Sequence, residues 1–327
     1  MTEYEKIRNQ IFQIASEDEF EALALKVFKM QYNYVNTYRD YCNLLGKTNP
    51  KSLSEIPFLP IELFKSHRII DSGLEPNMTF LSSGTTNSIR SSHFVADVTL
   101  YEESFQRAFH LFFGELDGKV VLALLPNYIE QGSSSLIYMV SNLIAKSNHP
   151  YSGFFLTDYD SLLKTIEKAK SEKLDIILFG VSYALLDLAE RQADLKGVRI
   201  IETGGMKGRR KEMIKTELHD ILSQQLNVPF ISSEYGMTEL LSQAYSFQHG
   251  IFKTPPWMKI LIRDAEDPFS WLIDGKTGGI SVIDLANLYS CSFIHTQDLG
   301  KKSVEGFQLI GRFDHSDIRG CNLLVNN

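Results

Sequence analysis

The sequence is poor in cysteine: Cys42, Cys291 and Cys321 are all it has in 327 residues. So odd and sparse a set excludes a disulfide framework and points to a reducing compartment. No cysteines or histidines stand at zinc-ligand spacing, and no two histidines share one helix face at metal spacing. Positive charge is also short. Lys and Arg number 33 against 40 Asp and Glu, a net charge of −7. That balance supports solubility and argues against a nucleic-acid binder working through bulk positive charge. No stretch approaches the ~18 uninterrupted apolar residues that a membrane-spanning helix needs. The amino-terminal MTEYEKIRNQ has neither an apolar signal core nor the Arg/Ser-rich look of a transit peptide. A cytoplasmic location is therefore expected. Internal repeats and low-complexity stretches are missing too.

What is present is ordinary globular material, 43% hydrophobic and 22% charged. At ~150 residues per domain, the length fits two domains or one large α/β domain with subdomains. Residues 2–46 read as helical, with Ile7, Ile11, Ile14, Phe20, Leu23, Leu25, Val27 and Phe28 at helical spacing. Pro50, Pro57 and Pro60 break that pattern and make 47–60 a connector. A helix is predicted over about 100–113, and the apolar run 120–126 reads as a buried strand. Helices over 134–146, 160–171, 183–192 and 211–226 then alternate with strands over 175–179, 198–202 and 229–232. Such alternation predicts an α/β fold with a mainly parallel sheet flanked by helices. After about 250 the helices stop. Short strands over 258–263, 279–285, 292–294 and 306–311 predict a small β-rich C-terminal subdomain. The expected division is a helical segment and connector (1–60), an α/β core (61–250) and a β-rich part (251–327).

Five strings can carry chemistry. In Ser82-Ser83-Gly84-Thr85-Thr86-Asn87-Ser88, small and hydroxyl residues let backbone amides converge on an anion. The string lacks the Gly-Lys-Ser/Thr of a Walker loop, and an ordinary Ser/Gly turn is the alternative. Glu202-Thr203-Gly204-Gly205-Met206-Lys207 follows a predicted strand, where α/β folds place ligands, and its glycines permit close approach to a flat ligand. The basic residues Lys207, Arg209, Arg210 and Lys211 that follow read as a solvated helix start. Ser233-Glu234-Tyr235-Gly236-Met237-Thr238-Glu239 also follows a strand. Here Tyr235 can stack on a base, Thr238 can bond a phosphate and Glu239 can bind Mg²⁺. A capped helix start holding Thr238 and Glu239 is the alternative. In His295-Thr296-Gln297-Asp298-Leu299-Gly300, Asp298 can accept two ribose hydroxyls, or it is a plain turn aspartate. Gly311-Arg312-Phe313-Asp314 means little by itself.

Taken in order, the five strings resemble the successive motifs of adenylate-forming enzymes, over about 80–320. Tyr235-Gly236-Met237-Thr238-Glu239 is the most specific of them. Within that superfamily the chain resembles the acyl-protein synthetases of bacterial bioluminescence (LuxE-like), near the phenylacetate-CoA ligases. Three segments carry this: Ile56-Pro57-Phe58-Leu59-Pro60 with Phe64-Lys65; Leu125-Pro126-Asn127-Tyr128 with Gly132-Ser133-Ser134-Ser135-Leu136; and Arg319-Gly320-Cys321.

The resemblance implies an adenylate-forming large-domain-like fold and ATP-dependent activation of a carboxylic, expectedly fatty, acid to an acyl-AMP. Transfer to a thiol follows. It implies that Ser82, Ser83, Gly84, Thr85 and Thr86 hold the ATP phosphates and that Gly204 and Gly205 line the adenine pocket. Tyr235 and Gly236 would flank base and acyl carbonyl, with Thr238 and Glu239 serving phosphate and Mg²⁺. Asp298 would take the ribose, and Arg312 the ribose or the α-phosphate. His295, inside a matched string, would line the nucleotide pocket. Cys321 is the internal candidate for the acyl-accepting thiol, with Arg319 beside it to favour the thiolate. A small packed residue is the alternative for Cys321, and Cys42 and Cys291 read as structural. The implied partners are the acid and an acyl-CoA reductase or acyl-carrier protein, with CoA as an alternative thiol. Asn87 and Gln297 stand where relatives usually have glycine. Seven residues follow Gly320, so the small C-terminal domain of many relatives is expected to be missing. The adenylation step is then expected to manage without it, borrow a group from a partner, or be lost. An acyl-CoA ligase and a catalytically degenerate nucleotide- or acyl-binding subunit are the competing readings.

Overall fold

The computed structural model describes residues 3–83, 89–125, 133–204, 210 and 213–313. The amino-terminal part folds as α1 (Glu3–Ile11), α2 (Glu17–Tyr34) and α3 (Asn36–Leu44). A reciprocal cap starts α2: Ser16 Oγ accepts the Glu19 amide at 3.2 Å, and the Glu19 carboxylate accepts the Ala15 amide at 2.8 Å. Ile7, Ile11, Phe20, Leu23, Val27 and Phe28 are buried, as their spacing predicts.

The chain continues through β1 (Leu59–Pro60), β2 (Met78–Leu81), β3 (Ser92–Val95), α4 (Val98–Phe113), β4 (Val120–Leu124), α5 (Ser135–Ser147) and β5 (Gly153–Phe154). Next come α6 (Tyr159–Ser171), β6 (Ile176–Val181), α7 (Ser182–Ala189), β7 (Val198–Thr203), α8 (Lys215–Gln225) and β8 (Ser232–Tyr235). Then follow β9 (Ala244–Ser246), β10 (Ile251–Lys253), β11 (Met258–Arg263), β12 (Thr277–Asp284), β13 (Phe293–Ser303) and β14 (Gly306–Arg312). Asp97, Ser134 and Asp158 cap α4, α5 and α6 with their side-chain oxygens.

Among the described residues one sheet runs β11-β12-β13-β14-β10-β9-β8-β7-β6-β4-β5, with β1 beside β13; β2 and β3 form a separate antiparallel pair. From β5 to β8 the pairing is parallel. Every residue of β4 and of β6 is buried, as expected of strands covered on both faces. From β8 to β11 every pairing is antiparallel. The sheet is thus mixed, which corrects the expectation of a mainly parallel one. The strands after 250 extend this same sheet instead of forming a sheet of their own. Short connections such as that from β13 to β14 can only return a strand antiparallel, and adding them covers the edge that β8 would expose.

Two further boundaries differ from the sequence reading. The predicted strand at 229–232 lies three residues later, at Ser232–Tyr235. Pro229 has no amide to give to a central ladder. The pair β2–β3 was not anticipated, because each strand is only four residues long.

Candidate active site

The loops after β7 and β8 leave the carboxyl end of the parallel strands, where open α/β sheets place their ligands. Gly204 ends β7 with φ +72°, a left-handed backbone that glycine adopts without strain. Just before it, Glu202 is buried under a converging set of donors. Lys215 Nζ reaches it at 2.7 Å, Ser182 Oγ at 2.6 Å and Ser233 Oγ at 2.9 Å. Burial alone would raise this carboxyl, but the Lys215 charge and the hydrogen bonds outweigh it and hold it far below the usual carboxylate range. Arg210 pairs with Asp187 on α7 and with Glu190, which caps that helix, so it is not simply solvated.

Residues 236–243 form a turn between β8 and β9, not the helix start that was the alternative for Thr238 and Glu239. The backbone groups that a helix would use internally are bonded elsewhere. The Thr238 carbonyl meets His93 Nδ1 at 2.7 Å, and the Glu239 carbonyl accepts from Asn287 Nδ2 at 2.8 Å. The amides of Leu241 and Ser242 donate to Asp284 Oδ2 at 2.7 and 2.9 Å. Burial pushes the Asp284 carboxyl up to about 6. Asn287 Nδ2 also donates to the Cys291 carbonyl at 2.9 Å, which turns its Oδ1 toward His93 Nε2 at 3.0 Å. His93 therefore has an oxygen at each ring nitrogen, while burial pushes the ring down to about 4.

Glu239 is 5% exposed. Burial raises its carboxyl, opposed first by the Ser91 hydroxyl that donates to it and then by the nearby charges of Arg312 and Lys65. Ser91 also ties this carboxylate to the strand end at Ser82: its amide donates to Ser82 Oγ at 2.9 Å, and its carbonyl accepts the Ser82 amide at 3.0 Å. Ser83 follows in an exposed position, and Gly84, Thr85 and Thr86 lie outside the described residues.

Asp298 lies inside β13 opposite Arg312 of β14, so it is a strand residue and not a turn aspartate. Its Oδ2 accepts Tyr235 Oη at 2.9 Å and its Oδ1 accepts Arg312 Nε at 3.0 Å. The Tyr235 ring is buried, edge-on to Phe252 and Phe307. Burial, then the Asp298 charge, drives its phenol well above the ordinary value. The structure thus brings Tyr235, Asp298 and Arg312 into one bonded set, and the Arg312 charge is felt at the Glu239 carboxyl. His295 is buried, stacked on Phe58 and bonded to Ser281 Oγ through Nδ1 at 2.7 Å. Gly205, Asp314 and Cys321 lie outside the described residues, while Cys42 and Cys291 are buried free thiols.

Sequence reasoning missed His93, Asn287, Asp284 and Arg263. Arg263 is buried beneath Asp298's strand, with its guanidinium on the carbonyls of Ile280 and Thr296 at 2.8 and 2.7 Å. A Cβ on Gly279 would stand 2.5 Å from Arg263 Cζ. Burial alternates along Ser92–Val95 and turns His93 inward, but the residue types Ser-His-Phe-Val do not alternate, and nothing local marks His93 or Asn287.

Residues 12–327 match the acyl-protein synthetase (LuxE) family. The chain belongs to that family. No curated protein matches it by sequence. Its fold is similar to that of solved adenylate-forming ligases. Against ATP-bound MatB from Rhodopseudomonas palustris the TM-score is 0.55 at 18% identity, covering 72% of this chain and 47% of that one. A 2-hydroxyisobutyryl-CoA ligase in complex with 2-HIB-AMP gives 0.63 at 13% identity, covering 92% and 69%. A long-chain-fatty-acid-CoA ligase from Archaeoglobus fulgidus gives 0.51 at 16% identity, covering 72% and 51%. This LuxE-family chain spans about half the length of MatB. Among the described residues no helix is long and apolar enough to cross a membrane.

Proposed function

We propose that this LuxE-family chain activates a carboxylic acid with ATP to an acyl-AMP and hands the acyl group to a thiol. The observation that carries the reading is the meeting of Tyr235, Asp298 and Arg312 at the end of β8. The solved ligases with ATP or an acyl-adenylate bound support a nucleotide in a chain of this fold. In the first step a carboxylate oxygen attacks the α-phosphorus and the bond to pyrophosphate breaks. Negative charge crowds there, so cations and loop amides aimed at the phosphates contribute most. Arg312, with 76% of its side chain exposed, is free to leave Asp298 for a phosphate. Asp298 then accepts ribose hydroxyls, and Ser82, Ser83 and Thr238 give donors to the phosphates.

Among the described residues no three His, Cys, Asp or Glu side chains are grouped to hold a metal. Glu239 alone fits Mg²⁺ that arrives on the phosphates, the usual way this ion is bound. Bound there, Mg²⁺ would neutralise phosphate charge. In the second step a thiolate attacks the acyl carbonyl and AMP leaves. Cys321 is our candidate acceptor, with an acyl-CoA reductase or acyl-carrier protein receiving the group afterwards. A CoA-dependent ligase is the second reading, favoured by the fold likeness to CoA ligases.

Pyrophosphate release with ATP, Mg²⁺ and a panel of radiolabelled acids, with and without CoA, tests this. Release without CoA, together with hydroxylamine-sensitive label on the chain, is expected. Cys321→Ser is expected to lose the label and keep pyrophosphate release. Strict CoA dependence would favour the ligase reading, and no turnover with any acid would overturn both.

A further inference from the structure

The ladder between β12 and β13 is interrupted beside Asp298. The pairs Gly279↔Leu299 and Ser281↔His295 flank the interruption. Between them β12 spends only Ile280, while β13 spends Thr296, Gln297 and Asp298. A bulge of this kind bends its strand, re-aims side chains and leaves ladder groups to find other partners. On its other side β13 changes neighbour across the same residues, from β14 at Asp298 to β1 at His295.

Arg263 fills the interruption. It sits on β11 directly across from Gly279. Because Gly279 has no side chain, the arginine can pass over β12 and reach β13; a Cβ at Gly279 would stand 2.5 Å from Arg263 Cζ. The guanidinium donates from Nη1 to the Ile280 carbonyl at 2.8 Å and from Nη2 to the Thr296 carbonyl at 2.7 Å. One planar fork thus joins both sides of the bulge. Thr296 completes the tie. Its Oγ1 donates to the Ile280 carbonyl at 2.8 Å and accepts the Asp298 amide at 3.1 Å. The Phe313 ring lies against the guanidinium, 5.2 Å from Cζ to the ring centre, and the Phe313 amide donates to the Gln297 carbonyl at 2.8 Å. The residue after Arg312 is therefore held to the same bulge. Burial draws Arg263 below its ordinary value, opposed by the charges of Glu62 and then Asp298.

We propose that Arg263 is a positioning residue for acid activation: by holding the β13 bulge it aims the Asp298 carboxylate at the ribose of the nucleotide. The inference rests on the acid-activating reading above and on the ribose role of Asp298. Two carbonyls on neighbouring strands need two donors in a fixed fork. A lysine keeps the charge but offers a point, so it holds one of them and not both. With the bulge half-held, Asp298 keeps its chemistry and loses its aim.

Calorimetry and pyrophosphate-release kinetics of the full chain with ATP, 2′-deoxy-ATP and 3′-deoxy-ATP test this. The wild type is expected to favour ATP over at least one deoxy analogue by about tenfold, the weight of a hydrogen bond to a carboxylate. Arg263→Lys is expected to lose most of that preference: ATP affinity falls by about fivefold or more, and affinity for the deoxy analogue barely changes. KM for the acid should stay level. Gly279→Ala leaves every bonding group in place and displaces the guanidinium, so it should show the same loss. It carries the test if Arg263→Lys does not fold. Melting temperatures are recorded alongside. A lower melting temperature with the wild-type preference intact, in whichever variants fold, would make Arg263 purely structural and overturn the proposal. An equal loss of affinity for ATP and its deoxy analogues would overturn it too, because the whole site and not its ribose contact has then moved. If the wild type binds no ATP, or does not distinguish the deoxy analogues, the ribose role of Asp298 falls and this inference with it. If ATP binds but no acid releases pyrophosphate, the acid-activating reading falls, and the binding comparison still decides whether Arg263 aims Asp298.

Discussion

The imidazole of His93 and the amide of Asn287 meet at 3.0 Å, and between them they hold the carbonyls of Thr238 and Glu239. Neither side chain is exposed. Residues far apart in the chain thus fix the backbone of the loop bearing the proposed phosphate and Mg²⁺ groups, while Asp284 fixes the amides that follow.

Asn287→Ala should therefore damage more than a packing contact. It strips a donor from the Glu239 and Cys291 carbonyls and removes the oxygen that faces His93 Nε2. Leaving such groups buried and unpaired is expected to cost about 3 kcal/mol in urea unfolding. Adenylation should lose kcat more than it gains in KM for ATP, because the groups remain but are misplaced. A variant equally stable and equally active would show that the clamp places nothing.

Much of this architecture was legible, and the reasons can be given residue by residue. The apolar runs of β4 and β6 are continuous because helices cover both faces, so the pattern itself announced them. The site strings stood out because the loops after β7 and β8 need small and polar residues. The mixed sheet did not show: alternation in Met258–Arg263 marks a strand but not its direction or its sheet. Nor did the clamp, since His93 and Asn287 are separated by 194 positions and meet only through tertiary packing. The donors that hold Glu202 come from α7, α8 and β8, which no local string reveals.

Stability should depend on pH through two opposed sets of buried groups. His93 and His295 are pushed down to about 4 and about 3, by burial first. Their contributions are complete above the unfolded value of 6.5 and are lost as pH falls through the folded values. Glu234 and Asp284 are pushed up to about 7 and about 6 by burial. Theirs are complete below the unfolded values and are lost as pH rises through the folded ones. Between about pH 4.5 and 6 the two sets oppose each other. Glu234→Gln removes one falling contribution, so stability should climb more steeply from pH 5 to 7, by up to about 1.4 kcal/mol per unit. Urea unfolding of both proteins at pH 5, 6 and 7 measures the slopes. Identical slopes would contradict the raised Glu234.

Lys215→Met should be the harsher of two related changes. It leaves Glu202, 1% exposed, without its cation. Breaking one side of a buried pair costs about 3–5 kcal/mol, and the 24% exposure of Lys215 favours the lower end. Adding Glu202→Gln to it should recover much of the loss, since the amide carries no charge to strand. If the double variant is no more stable than the single one, the charge is not what Lys215 supplies.

Asp298 offers the sharpest test of the proposed nucleotide site, because both its oxygens are engaged. Tyr235 Oη holds Oδ2 at 2.9 Å and Arg312 Nε holds Oδ1 at 3.0 Å. A ribose taken by this carboxylate must share or displace them. Asp298→Ala removes charge-assisted hydrogen bonds worth about 1.5–3 kcal/mol each, so ATP affinity should fall at least tenfold by calorimetry. Affinity for the acid should change little. Tyr235→Phe keeps the ring between Phe252 and Phe307 and frees Oδ2 for a ribose hydroxyl. It should bind ATP more tightly, by about threefold, a gain of well under one net hydrogen bond. A purely structural Asp298 predicts the opposite pattern. Asp298→Ala would then lower the melting temperature by stranding the buried phenol while ATP affinity stayed level, and Tyr235→Phe would leave ATP affinity unchanged. The two variants, read by calorimetry and thermal unfolding together, separate a ribose-binding carboxylate from one that only ties β8 to β13.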